Sequence, residues 1–149
     1  NILYKEITTK LSDLNIAVNR IRLMKSQLEN IDKIIPEEAE AASLLVDELE
    51  LLEGQLVDTK RETPRDVLRH PAGLDDTLQD LLWVVKIADA NPPAQSHEVA
   101  QDVFSKVDKI LGGLDELVDS KISKFNSDIA KASPPAVSGS SIGAPKTGW

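Results

Sequence analysis

The stretch Ile7–Ile21, reading ITTKLSDLNIAVNRI, decides the fold class of this chain. Its apolar residues Ile7, Leu11, Leu14, Val18 and Ile21 follow steps of four, three, four and three, which puts all five on one face of a helix with 3.6 residues per turn. A half-buried strand would need alternating polarity instead, and no such alternation occurs anywhere in the sequence. Working outward, the stripe slips by one at Met24 and resumes through Leu28, Ile31 and Ile35, so packing near Met24 is expected to be less regular. Pro36 stops this first helix and suits the opening turn of the next, where its missing N–H costs nothing and Glu37 and Glu38 meet the positive end of the helix dipole. A tight reversal near Ile35 follows.

The second helix carries Ala42, Leu45, Leu49, Leu52 and Leu56 at steps of three and four, with Glu48, Glu50, Glu53 and Lys60 on its other faces. It is expected to end near Thr63, because Pro64 disfavours helical geometry in the residue before it. Pro64 to Gly73, which includes Pro71, holds no sustained period and reads as a long connection crossing the bundle. A third helix runs from about Leu74 through Leu78, Leu81, Val85 and Ala88, opened by Asp75 and Asp76 and ended by Asn91, Pro92 and Pro93. The fourth begins between Pro93 and Ser96 and continues through Val103, Val107, Ile110, Leu114 and Leu117, then Ile122, Phe125 and Ile129. At about 1.5 Å per residue it is roughly 50 Å long and matches the first helix along most of its length. Gly112-Gly113 is its weak point, read as a site of close packing with a neighbour such as Trp83. The expected fold is all-α, an antiparallel up-and-down four-helix bundle with a long connection between helices 2 and 3. Residues 1–132 form the bundle domain, and residues 133–149, rich in Ser, Pro and Gly, are expected to be a flexible tail.

Composition narrows the function. With 149 residues the chain suits one domain, and with 41% apolar but only 3% aromatic residues its core must be aliphatic. A net charge of -8 opposes binding to phosphate backbones or anionic lipid, both of which are held by clustered Lys and Arg. Nucleic acid is therefore not an expected partner, and membrane insertion is not expected either, because no apolar run is long enough to cross a bilayer. The absence of cysteine excludes disulfides, thiolate metal ligands and a cysteine nucleophile, and leaves cytoplasm and periplasm both open.

No residue set carries a recognisable chemistry. His70 and His97 are the only imidazoles, and neither has a second His at metal-ligand spacing. They read as a loop residue and a first-turn residue. Asp75-Asp76 and the helix 2 carboxylates Glu48, Glu50 and Glu53 could be compared with the carboxylates of bundle di-metal sites, but those sites also need Glu-x-x-His on facing helices, which this chain lacks. A solvated acidic face is the expectation. There is no Gly-x-Ser-x-Gly turn, and Gly112-Gly113 lies inside a helix rather than in a phosphate-cradling loop. No catalytic, cofactor-binding or metal site is expected. The run Trp83-Val84-Val85, with Ile87, makes helix 3 apolar on most sides, which is expected to mean burial between neighbours, with an interface to another domain as the alternative.

Three stretches carry a resemblance: Leu51 to Lys60 (LLEGQLVDTK), Ala88-Asp89-Ala90-Asn91-Pro92-Pro93 through Gln95-Ser96, and Asp108 to Phe125-Asn126. Over most of residues 4–130 the chain resembles the C-terminal helical region of large bacterial sortilin-like proteins, whose main body is a BNR-repeat β-propeller often labelled a glycosyl hydrolase. Before helix 3 that family reads Tyr-Pro, an aliphatic residue, then Arg-Leu-Asn-Asn, where this chain has His70-Pro71-Ala72-Gly73-Leu74-Asp75-Asp76. The arginine is absent, so no role for it carries over. The resemblance implies a fragment of a longer exported protein, periplasmic or extracellular, a non-catalytic accessory domain whose partner is its own upstream propeller or another protein. It places no catalytic residue on this chain. A free-standing helical adaptor or oligomerisation module is the alternative, suggested by the heptad-like stripes of helices 1, 2 and 4.

Overall fold

In the computed structural model the described residues are 2–57, 73–88 and 92–132. They form an all-α helical bundle with no strand among them. Helix α1 spans Ile2–Ile34, a short 3-10 turn Pro36–Glu38, α2 Ala39–Leu56, α3 Leu74–Ala88 and α4 Ala94–Leu117. A single π-turn, Val118–Ile122, leads directly into α5, Ser123–Ala132. The expected tail at residues 133–149, most of the long connection and His70 lie outside the described residues.

The slip at Met24 does not interrupt α1, which stays α-helical through it and buries Met24, Leu28 and Ile31 on the same side as Ile21. At Ile35 the backbone leaves helical geometry, with φ -125° and ψ 83°, as the proline after it requires. The reversal is held by Ile35 N–H donating to the Ile31 carbonyl and Glu38 N–H donating to the Ile35 carbonyl. Helix α2 ends at Leu56, short of the expected end near Thr63, and Val57 is already a bend.

Two compact units divide the chain, and three of the helices run uninterrupted from one into the other. The first comprises Asn1–Asn19 and Leu52–Gly113. Its core gathers Ile7 and Leu14 of α1, Leu56 of α2, Leu78 and Val85 of α3, and Val103 and Val107 of α4. Helices α3 and α4 are joined by only five residues, which forces an antiparallel hairpin; Leu74 at the start of α3 lines the same hollow as Ile110, far along α4. Pro93 accepts a hydrogen bond from the N–H of Ser96, which is buried at the opening of α4.

The second unit comprises Arg20–Leu51 and Leu114–Trp149. Its core is aliphatic apart from Phe125, with Ile21, Leu28, Leu45, Leu49, Leu114 and Ile129 at the centre. The hairpin of α1 and α2 is antiparallel, and Lys25 meets Glu50 at 3.5 Å, each about the same number of residues from the turn. Arg20 pairs with Asp115 at 3.3 Å, while Leu23 to Gln27 lie against Val118 to Asn126, so residue numbers rise together on the two rods. Here α4 runs in the same direction as α1. Both short turns produce the expected antiparallel neighbours, whereas the 17 residues between Leu56 and Leu74 leave direction unconstrained.

Candidate functional site

Helix α3 has the capping charges its sequence announces, with Asp75 and Asp76 in the first turn and Lys86 in the last. Thr77 donates to the Gly73 carbonyl through both its N–H and its hydroxyl, at 3.3 and 3.4 Å. Leu78, Leu81 and Val85, at steps of three and four, form its only buried face. Trp83, Val84 and Ile87 are left on the other side, 62%, 46% and 65% exposed. The expected burial of this run between neighbours is therefore corrected: one inward stripe uses up the packing surface, and the largest side chain of the helix stands in solvent.

The expected packing of Trp83 against Gly112-Gly113 is corrected with it. A Cβ added at Gly112 would meet no atom within 4 Å, and one at Gly113 would touch only the Leu52 side chain, at 3.8 Å. Helix α4 passes through both glycines without a break. The irregularity comes later, at the π-turn. Its cause is legible in the spacing: Leu117 and Ile122 are both buried but five residues apart, and at α-helical pitch five residues would turn Ile122 about 140° away from Leu117. The wider turn brings Ile122 back to the core, and Phe125 and Ile129 follow at steps of three and four. Within this wider turn the Ser120 hydroxyl donates to the Glu116 carbonyl at 2.7 Å.

Within the second unit the π-turn lies opposite the stripe slip of α1. Where two interrupted periods meet, side chains cannot interdigitate evenly, and a groove of about 470 Å³ remains. Met24 and Ile122 are its buried floor, and Leu23, 57% exposed, stands at its rim. Gln27 also lines it, and its Oε1 is buried without a hydrogen-bond partner. Irregular packing at Met24 is expected from the stripe of α1 alone, whereas the step of five at Ile122 gains meaning only once the two rods are seen side by side, and together those two signals locate the groove.

The residues singled out for metal or acid–base chemistry are dispersed. Glu48 binds Lys121 at 2.7 Å, Glu50 binds Lys25, and Glu53 is buried, with 5% exposure. Glu53 thus corrects the reading of a uniformly solvated acidic face, because Leu49, Glu53 and Leu56 also follow steps of four and three and it is this alternative stripe that turns inward. Asp75 and Asp76 sit at the start of α3, and His97 is exposed in the first turn of α4. Among the described residues no three His, Cys, Asp or Glu side chains converge as metal ligands. In the first unit Lys10 pairs with Asp108 and lies 5.7 Å from the Phe104 ring centre, an arrangement that ties α1 to α4 rather than forming a reactive site. No helix among the described residues is long and apolar enough to cross a membrane. No protein-family model, curated protein or solved structure matches this chain.

Proposed function

We propose that this chain is a non-catalytic interaction module that docks through the outer face of α3 onto another protein domain, its own upstream β-propeller in a larger secreted protein. The observation that carries the reading is the exposure of Trp83 with Val84 and Ile87 on one helix face. Solvating a contiguous apolar surface is unfavourable, and such surfaces on soluble domains mark contacts with other molecules. Tryptophan in particular contributes a large share of binding energy at protein interfaces. The resemblance over residues 4–130 supports the choice of partner and an extracytoplasmic location.

The test is a titration of this domain into the separately produced upstream region, followed by calorimetry. The double substitution Trp83→Ala, Ile87→Asp is expected to weaken binding at least tenfold with an unchanged helical circular dichroism spectrum. Equal binding by the double variant would remove α3 from the interface. A glycosidase assay of the chain alone is expected to show no turnover, and measurable cleavage would contradict the non-catalytic reading.

A second reading rests on a different observation. Leu44 and Leu51 of α2 are 60% and 67% exposed and seven residues apart, the spacing of a helix ridge that pairs with another helix. A free-standing adaptor or oligomer would use this ridge. Light scattering separates the two readings, since a mass that stays monomeric at all concentrations disfavours self-association.

A further inference from the structure

We infer that the surface covering α3 belongs to a different protein domain rather than to a second copy of this chain, and that it carries a lysine or arginine in line with the slot for Trp83, where it pairs with Asp80. The inference rests on the docking reading given above and adds the charge of the partner to it.

At about 100° per residue, Asp80, Trp83, Val84 and Ile87 fall within one arc of roughly 100° on the outer side of α3. All four are exposed. Asp80 lies near the middle of that arc, about 4.5 Å before Trp83 and about 10 Å before Ile87 along the helix axis, and not out on a flank. No basic residue of α3 stands three or four places from it, since those places hold Asp76, Thr77, Trp83 and Val84. Lys86 is six places on and turned about 120° away. Any surface that covers Trp83 and Ile87 closely therefore also takes water from the Asp80 carboxylate, and a charge that loses water without gaining a partner opposes the contact. A cation on the covering surface reverses that sign and fixes the register of docking.

A second copy of the chain does not supply such a cation. Two pairings would bring the apolar residues of two copies together. In a parallel pair in register, Asp80 faces Asp80 of the second copy. In an antiparallel pair that lays Trp83 on Ile87, Asp80 reaches the C-terminal end of the other α3, where unpaired carbonyls form the negative end of the helix dipole and Asp89 follows in the sequence. Both set negative against negative, and the net charge of -8 on each copy adds to the repulsion. A partner with an apolar cleft and a basic residue roughly one helical turn from the tryptophan slot meets no such conflict, and it receives α3 as a helix laid in a groove.

The full chain carrying Asp80→Lys is a probe of this chemistry, because in a parallel pair it sets an ammonium opposite Asp80 and keeps Trp83, Val84 and Ile87. The wild-type chain would be immobilised through a C-terminal tag, and its binding of free wild-type chain and of free Asp80→Lys chain compared by biolayer interferometry. The charge-swapped chain is expected to bind at least tenfold more tightly than wild type binds itself, with the gain falling as salt is raised from about 20 to about 500 mM. Asp80→Asn in the immobilised chain is expected to remove most of the gain with the helical spectrum unchanged. Equal binding of the two free chains, no binding of the charge-swapped chain, or a gain that survives Asp80→Asn would each overturn the inference. Failure of the docking reading is distinguishable: binding of the charge-swapped chain that persists when the immobilised chain carries Trp83→Ala, Ile87→Asp places the contact off α3 altogether.

Discussion

At Gly54 and Gly112 an added Cβ would meet open space, although both residues lie inside helices where glycine is the costliest common residue after proline. Gly54→Ala and Gly112→Ala are each expected to raise stability by about 0.5–1 kcal/mol, read from urea denaturation midpoints. No gain at either position would mean that the backbone there is not the plain helix described. In contrast, Leu14 and Leu49 are fully buried, and truncation to alanine at either is expected to cost about 2–5 kcal/mol. Trp83→Ala is expected to change stability by less than about 0.5 kcal/mol despite removing the largest side chain type, because most of its surface is already in water. Sequence alone does not separate these cases well. Apolar identity predicted Leu14 and Leu49 correctly, yet Trp83 and Glu53 are on the opposite sides from those their chemistry suggests, one apolar and solvated, the other acidic and buried. Periodicity fixes which residues share a face but not which of two overlapping stripes turns inward, and on α2 the Leu49–Leu52–Leu56 and Leu49–Glu53–Leu56 stripes are equally helical.

At the scale of elements the periodic signals were the dependable ones. Helix α1 was legible from its stripe, the turn at Ile35 from Pro36, and the start of α3 from Asp75 and Asp76. The π-turn was present in the sequence as the step of five between Leu117 and Ile122, a spacing no unbroken α-helix can place on one face. This leads to a deletion experiment. Removing Ser120 shortens that step to four, which an ordinary α-helix accommodates, so the deletion variant is expected to fold and to retain full helicity with the groove beside Met24 closed. Removing Asp102, in the regular part of α4, would instead rotate every core residue before it by about 100° relative to those after it and is expected to abolish cooperative unfolding. Circular dichroism with thermal melting distinguishes the two variants. If both deletions were equally damaging, the π-turn would not be a correction of register.

For the whole molecule, the all-α architecture was readable because four amphipathic segments leave no other way to bury an aliphatic core, and the two short turns dictated their hairpins. The direction of α4 beside α1 was not readable, since a connection as long as that between Leu56 and Leu74 carries no directional information. Helices α1, α2 and α4 each pass from one compact unit into the other without a helix break. A single cooperative unfolding transition is therefore expected, with Leu14→Ala in the first unit and Leu28→Ala in the second lowering the same midpoint; two separated transitions at 222 nm would show that the units melt independently. The surface ion pairs, Lys25–Glu50 and Lys121–Glu48 among them, contribute little to this stability, about 0–1 kcal/mol each, and aliphatic burial carries most of it.

The exposure of Trp83 also governs what light can report. Phe104 and Phe125 are the only buried aromatic side chains among the described residues, and Trp83, the one indole among them, is already 62% exposed, so its emission changes little from a dry to a wet environment as the bundle melts. The fluorescence of Trp83 will be a poor thermometer for unfolding but, with Trp149 replaced by phenylalanine, a direct sensor of anything that settles on α3: a blue shift of the remaining indole signals an occupant while the helical signal stays constant.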